Sequence, residues 1–157
     1  MVKLVPMEPA DYPASLENSI VEYAEDKVKS GQWKESESLE KSRGEFLHLL
    51  PDGVHTKNEF ISSIVNEETG QKIGILWVEV KMEETPRRAF GYDFIVYEPF
   101  RGKGFGKQAL QALDKILISM DVESMGLHVF GHNATAFELY KKMGFEITNI
   151  NMRKKYK

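Results

Sequence analysis

The chain contains no cysteine. That excludes disulfides, thiolate metal ligands and a cysteine acyl-enzyme together. Nor does any apolar run approach the ~20 residues that span a bilayer as a helix, so no membrane partner is expected. A basic excess is missing as well. Lys and Arg number 21 against 24 Asp and Glu, a formal net charge of −3, which argues against nucleic acid as the main partner. Near Met1 nothing reads as a signal peptide, because Pro6, Glu8, Pro9 and Asp11 interrupt any apolar stretch. A soluble, cytoplasmic location is the expectation. What is present is ordinary globular material, 157 residues with 41% hydrophobic and 11% aromatic content. No repeat, low-complexity tract or linker divides it, so residues 1–157 read as one domain with a sizeable core.

The rest is organised around Phe94 to Leu113, which reads as a buried strand, a tight glycine loop and a long helix. Gly102, Gly104 and Gly106 tolerate positive φ and leave their backbone N–H groups bare. Those groups fall where a helix begins, between Lys103 and Lys107. Orphan donors, the positive end of the helix dipole and two ammonium groups favour an anion, most naturally a phosphate.

Before this stretch, Val2 to Pro6 predicts a short strand, and Asp11 a cap for a helix ending at Gly31. Along that helix Tyr12, Leu16, Ile20, Tyr23 and Val28 lie on the apolar side. A second helix is predicted from Glu35 to Leu50, with Leu39, Phe46, Leu47 and Leu50 apolar. The charges from Glu22 to Glu45 read as a solvated helical face in preference to an interaction tail. Phe60–Val65, Ile73–Val80 and Ala89–Tyr97 are β-rich runs joined by short polar turns, an antiparallel meander. After the loop, a helix should run to Met120, followed by a strand at Leu127–Phe130 parallel to the one before the loop. Asn133 caps a further helix ending at Met143–Gly144, and Phe145–Met152 reads as a final strand. The fold class is α/β, with a mixed sheet.

Three phosphate-loop readings compete. A Walker A loop fails, since Gln108 stands where a hydroxyl should hold magnesium. The dinucleotide fingerprint is nominally met by Gly104, Gly106 and Ala109, with Asp121 further on. It expects its first glycine directly after the strand, however, and only about fifty residues remain for the rest of that fold. The third reading rests on two segments. Arg101-Gly102-Lys103-Gly104-Phe105-Gly106 fits [QR]-x-x-G-x-[GA], and Asn133 through Phe145 fits N-x-x-A-x-x-x-Y-x-x-x-G-F. In this order and at this separation they resemble the GNAT N-acetyltransferase superfamily. The likeness covers about Ala89 to Phe145; Pro99, directly before Phe100, lies a position or so later than in many relatives.

This resemblance implies a mostly antiparallel mixed sheet, splayed between its fourth and fifth strands and flanked by helices. It also implies acetyl-CoA as cosubstrate. Amides from Gly102, Lys103, Gly104, Phe105, Gly106 and Lys107, with Arg101, would hold the pyrophosphate. Phe94, Ile95 and Val96 would line the coenzyme arm, and Asn133 would bond it or simply cap its helix. The implied reaction is direct attack of a primary amine, on a small molecule or a peptide, in a ternary complex. Tyr140 matches the family's general acid, since a phenol of pKa ~10 stays protonated at neutral pH. His128 is the candidate base, its imidazole near ~6.5, although a hydrogen-bonded strand histidine is an equal reading. Asp93 and Glu79 are weaker candidates, because a carboxylate near ~4 needs burial to serve. Glu22, Glu25 and Asp26 would favour a cationic amine if they line the acceptor site. Trp33 is a further candidate for that wall. No metal site is expected, because His128 and His132 on a strand would stand ~13 Å apart. A non-catalytic acyl-CoA-sensing domain and transfer of a longer acyl group are the alternatives. Oligomeric state is left open, with a homodimer as one option.

Overall fold

β-Branched and aromatic runs separated by short polar turns leave the middle of the chain little choice but a meander. The computed structural model describes residues 1–157. In it β2 (Glu59–Asn66), β3 (Lys72–Val80) and β4 (Arg87–Val96) pair antiparallel in sequence, and β1 (Val2–Pro6) lies antiparallel to β2. β5 (Val122–Leu127) adds to β4 in parallel, giving a five-stranded mixed sheet in the order β1-β2-β3-β4-β5. Helix α3 (Phe105–Ser119) makes the crossover between the last two. The remaining helices are α1 (Tyr12–Lys29), α2 (Glu35–Leu49) and α4 (Ala134–Lys142). None is long and apolar enough to cross a membrane.

The alternation of β3 serves both faces. Leu76, Val78 and Val80 meet Ala109, Leu110, Leu113 and Leu117 of α3 on one side. On the other, Trp77 packs with Ile20 of α1 and Phe46 of α2. Each such leucine or isoleucine contributes ~1.5–3 kcal/mol by leaving water. The α1–α2 seam differs from expectation, since Leu39 and Leu47 are exposed and the inward row is Ser38, Ser42 and Phe46. Small serines let the helices approach closely, and Ser42 Oγ donates to the Ile20 carbonyl at 2.7 Å. Asp11 does not cap α1 through its side chain; its carboxylate pairs with Lys72 instead.

Two predicted strands are corrected. Only Leu127 of the Leu127–Phe130 run is in the ladder, because α3 ends at Ser119 and pairing begins almost at once, at Val122 opposite Arg87. Phe145–Met152 forms no strand. Its alternation puts Phe145 and Ile147 on one face but Ile150 and Met152 on the other, so no register buries them together.

Two irregularities in β4 position everything that follows. Its parallel pairing with β5 stops at Gly91 opposite Leu127, and the strands then part. Against β3 the register slips, Trp77 facing Asp93 and Val78 facing Gly91, so that Tyr92 is a bulge residue. Farther along, β3 and β4 approach so closely at Gly74 that a Cβ there would lie 2.1 Å from the Ile95 carbonyl oxygen. Gly74→Ala is therefore expected to destabilise the fold by ~1–3 kcal/mol, read as a lower urea midpoint at unchanged slope.

Candidate active site

The loop after β4 forms an amide cradle. Gly102 and Gly104 take φ of +75° and +82°, and Gly104 is the N-cap of α3. The first backbone bond at the helix start runs from the Gln108 N–H to the Gly104 carbonyl at 3.2 Å. From Gly102 to Lys107 the N–H groups therefore find no carbonyl partner, and orphan donors of this kind are an anion site. Gly106 is bare for a different reason: a Cβ would sit 3.2 Å from Leu139 Cδ2 of α4. Arg101 Nε donates to the Val96 carbonyl at 2.7 Å, tying the loop back to its strand.

Beside the cradle, the parted strands expose β4. The Tyr97 N–H donates to the Ile73 carbonyl at 2.8 Å. By antiparallel alternation the groups of Ile95 also face β3, whereas those of Phe94 and Val96 face the gap. Since Arg101 occupies the Val96 carbonyl, the Val96 N–H and Phe94 carbonyl are the free groups there. Ile95 contributes a buried side chain on the α1 side of the sheet.

Cradle and gap open into one cavity of about 1120 Å³, which reaches α1 and α2 and is also lined by Asn133, Tyr140, Asp93, Glu22 and His128. Asn133 caps α4, its Oδ1 accepting from the Ala136 N–H at 3.2 Å. Two turns on, the Tyr140 ring lies 6.3 Å from that of Phe94. Burial, and then the charge of Asp93, push its phenol up to about 12. Asp93 is thus within electrostatic reach of Tyr140. Its own carboxyl is pushed up to about 6, first by burial and then by Glu22 and Asp26, against the Ser19 hydroxyl and the Phe94 N–H, which favour the charge. Even so, Ser19 Oγ is buried without a partner at hydrogen-bonding distance. Glu22 is also raised, by burial, with Arg101 opposing.

His128 stands past the end of β5, its ring 4.8 Å from Phe130, and burial followed by the charge of Lys27 lowers it from 6.5. It is on a loop, so the strand spacing does not apply to it or to His132, whose Nε2 lies 2.8 Å from Asp26 Oδ1. Trp33 packs edge-on to Tyr23 and is not among the cavity's lining, whereas Trp77 is.

The profile of the Acetyltransferase (GNAT) family matches residues 20–145. The chain belongs to the GNAT acetyltransferase family. It is 41% identical over 155 residues to the uncharacterized N-acetyltransferase YycN of Bacillus subtilis, covering 98% of both chains. It is 40% identical over 136 residues to the uncharacterized N-acetyltransferase YdgE of the same organism, covering 87% of this chain and 86% of that one. The crystal structure of YycN superposes with a TM-score of 0.94 at 40% identity, over 99% of this chain and 98% of that one. Glucosamine-6-phosphate N-acetyltransferase from Arabidopsis thaliana shares the fold alone, with a TM-score of 0.57 at 19% identity over 100% and 99% of the two chains.

Within this GNAT frame, sequence reasoning passed over Ser19, Phe90, Tyr92 and Phe130, all lining the cavity. A bulge leaves no periodic trace, and Ser19 sits on a helix face that reads as packing. The cradle yields a direct test. Gly104→Val forces a β-branched residue into positive φ and should lower coenzyme A affinity at least tenfold by titration calorimetry.

Proposed function

We propose that this acetyltransferase moves an acetyl group from acetyl-CoA to a primary amine by direct attack in a ternary complex. The observation that carries the reading is the meeting, in one cavity, of an unengaged amide cradle, an opened strand edge and a carboxyl–phenol pair. The donors from Gly102 to Lys107 suit a pyrophosphate, and the Val96 N–H and Phe94 carbonyl suit the amide groups of the coenzyme arm. Bound acetyl-CoA supplies a thioester open to a nitrogen nucleophile. The absence of cysteine favours direct transfer over a covalent enzyme intermediate.

The amine must lose a proton and the leaving sulfur must gain one. Tyr140, held protonated by burial and by Asp93, is the donor. For the acceptor we favour Asp93 over His128. Its carboxyl, at about 6, is a stronger base than an ordinary aspartate yet ionised at neutral pH. It also faces Tyr140 electrostatically, whereas His128 stands by Phe130 and is depressed. A lysine-like ammonium of pKa ~10.4 needs such a base more than an α-amino group of ~7.7–8.0 does.

Thiol release from acetyl-CoA, measured across a panel of primary amines, tests the reading. Tight coenzyme A binding with no thiol release for any amine would support an acyl-CoA-sensing domain instead. Faster release from a longer acyl-CoA would revise the donor. Tyr140→Phe should lower kcat by ~10²-fold or more. Asp93→Asn should lower kcat/KM by ~10²–10⁴-fold and remove an acid limb near pH 6; His128→Gln should leave that limb in place.

Asp93 also links activity to stability. Its folded pKa of about 6 lies above the ordinary 3.8, so its favourable contribution is complete below 3.8 and lost as pH rises through 6. At pH 7.5 the buried charge opposes folding, and Asp93→Asn should stabilise the protein by up to ~3 kcal/mol in urea unfolding. A purely structural Asp93 would give a loss.

A further inference from the structure

Helix α4 is short for the task of aiming a proton donor. It has nine residues, and none of them is buried. Isolated helices below ~12–15 residues are marginal in water. Tyr140 stands in its last turn, where the carbonyls have no partner further along the helix. Rotation about χ1 alone carries a phenol hydroxyl several ångströms. Since a misplacement of ~1 Å can cost ~10²-fold in rate, a donor in this position needs a second hold.

The residues just past the helix supply one. Gly144 turns the chain out of α4 at φ +91°. A Cβ there would meet nothing within 4 Å, so the turn needs glycine for its conformation and not for space. Two bonds close the turn: the Phe145 N–H donates to the Tyr140 carbonyl at 2.9 Å, and the Gly144 N–H to the Lys141 carbonyl at 3.1 Å. This is the Schellman arrangement, which brings the residue after the glycine back onto the last turn of the helix.

What it brings together here is a pair of rings. Phe145 meets Tyr140 edge to face, with centroids 5.5 Å apart and planes at 62°. Tyr140 also meets Phe94 of β4, at 6.3 Å and 43°. One ring from the sheet and one from the helix's own cap thus pack on the phenol. Phe145 has little else to do. It does not line the cavity, and it belongs to none of the core clusters. Tyr140 is its one aromatic partner, and every residue after it is exposed.

We propose that Phe145 is a positioning residue for Tyr140, its ring holding the phenol at the angle from which the hydroxyl proton reaches the displaced sulfur. This rests on the reading of Tyr140 as proton donor and adds the residue that aims it. Phe145 lies outside the cavity, so its loss acts on the chemical step and not on binding.

Two readouts test this. In coenzyme-A-saturated protein carrying ring-labelled tyrosine, carbon NMR relaxation reports the order of the Tyr140 ring, assigned by its disappearance in Tyr140→Phe. That ring should be rigid in the wild type, mobile in Phe145→Ala and rigid again in Phe145→Tyr. Equal order in the wild type and Phe145→Ala would overturn the proposal. In thiol release with the most active amine of the panel, Phe145→Ala should lower kcat by ~10-fold or more, leaving KM for the amine and Kd for coenzyme A unchanged. In the Tyr140→Phe background the same substitution should change kcat by less than ~2-fold, because no acid remains to aim. An undiminished loss in that background, or a loss confined to KM, would mark Phe145 as merely structural and overturn the proposal. Should Phe145→Ala fail to bind coenzyme A, Phe145→Leu takes its place, and failure of both to bind would overturn it too. Tyr140→Phe alone separates the two claims. Without a loss of kcat there, the acid reading fails and the positioning claim with it; a loss there beside a fully active Phe145→Ala removes the positioning claim only.

Discussion

The parting of β4 from β5 after Gly91 and Leu127 is the constraint on which the rest of the molecule depends. An unpaired strand edge inside a protein costs free energy unless something satisfies it. Here Arg101 reaches back to one of the freed carbonyls, and the Val96 N–H and Phe94 carbonyl face the cavity, whose lining includes Leu127, His128, Val129 and Phe130. The gap also fixes where α3 can begin. Its unengaged N–H groups stand at the mouth of the opening because the loop from Glu98 to Gly104 must turn there, and positive φ at two glycines makes the turn. Opening and cradle are one feature with one cause.

The bulge at Tyr92 does comparable work on the opposite face. Slipping the register by one residue brings Tyr92 over Trp77 and keeps Asp93 under α1, beside Ser19 and Glu22. A carboxylate there is poorly solvated and crowded by like charges, which a sequence selected for stability alone would avoid. The same burial raises its basicity and keeps Tyr140 protonated. Local destabilisation and chemical competence thus share one origin, as at functional sites in general.

Charges of both signs line the cavity: Arg101 and Lys107 come from the loop and α3, Glu22, Asp26 and Lys27 from α1, Asp93 from β4, and Glu138 and Lys142 from α4.

Much of this was written into the chain locally. The glycine loop, the Asn133 cap and the meander follow from short-range patterns, because turn chemistry, capping and alternation act over a few residues; Tyr140 stood out only through the resemblance of its segment to the GNAT motif. The strand expected at Leu127–Phe130 arrived earlier, and the tail after Phe145 stayed out of the sheet, since a strand exists only where a neighbour offers hydrogen bonds in register. Asp93 ranked as a weak base in sequence because an aspartate's basicity is set by what surrounds it, and Ser19, Glu22 and Tyr140 come from distant segments. The sequence by itself determined the family and the glycine loop that opens α3. Only the tertiary structure decided that Asp93 is buried within electrostatic reach of Tyr140 and which acids and aromatic rings line the cavity, because desolvation and like-charge crowding depend on contacts between residues far apart in the chain.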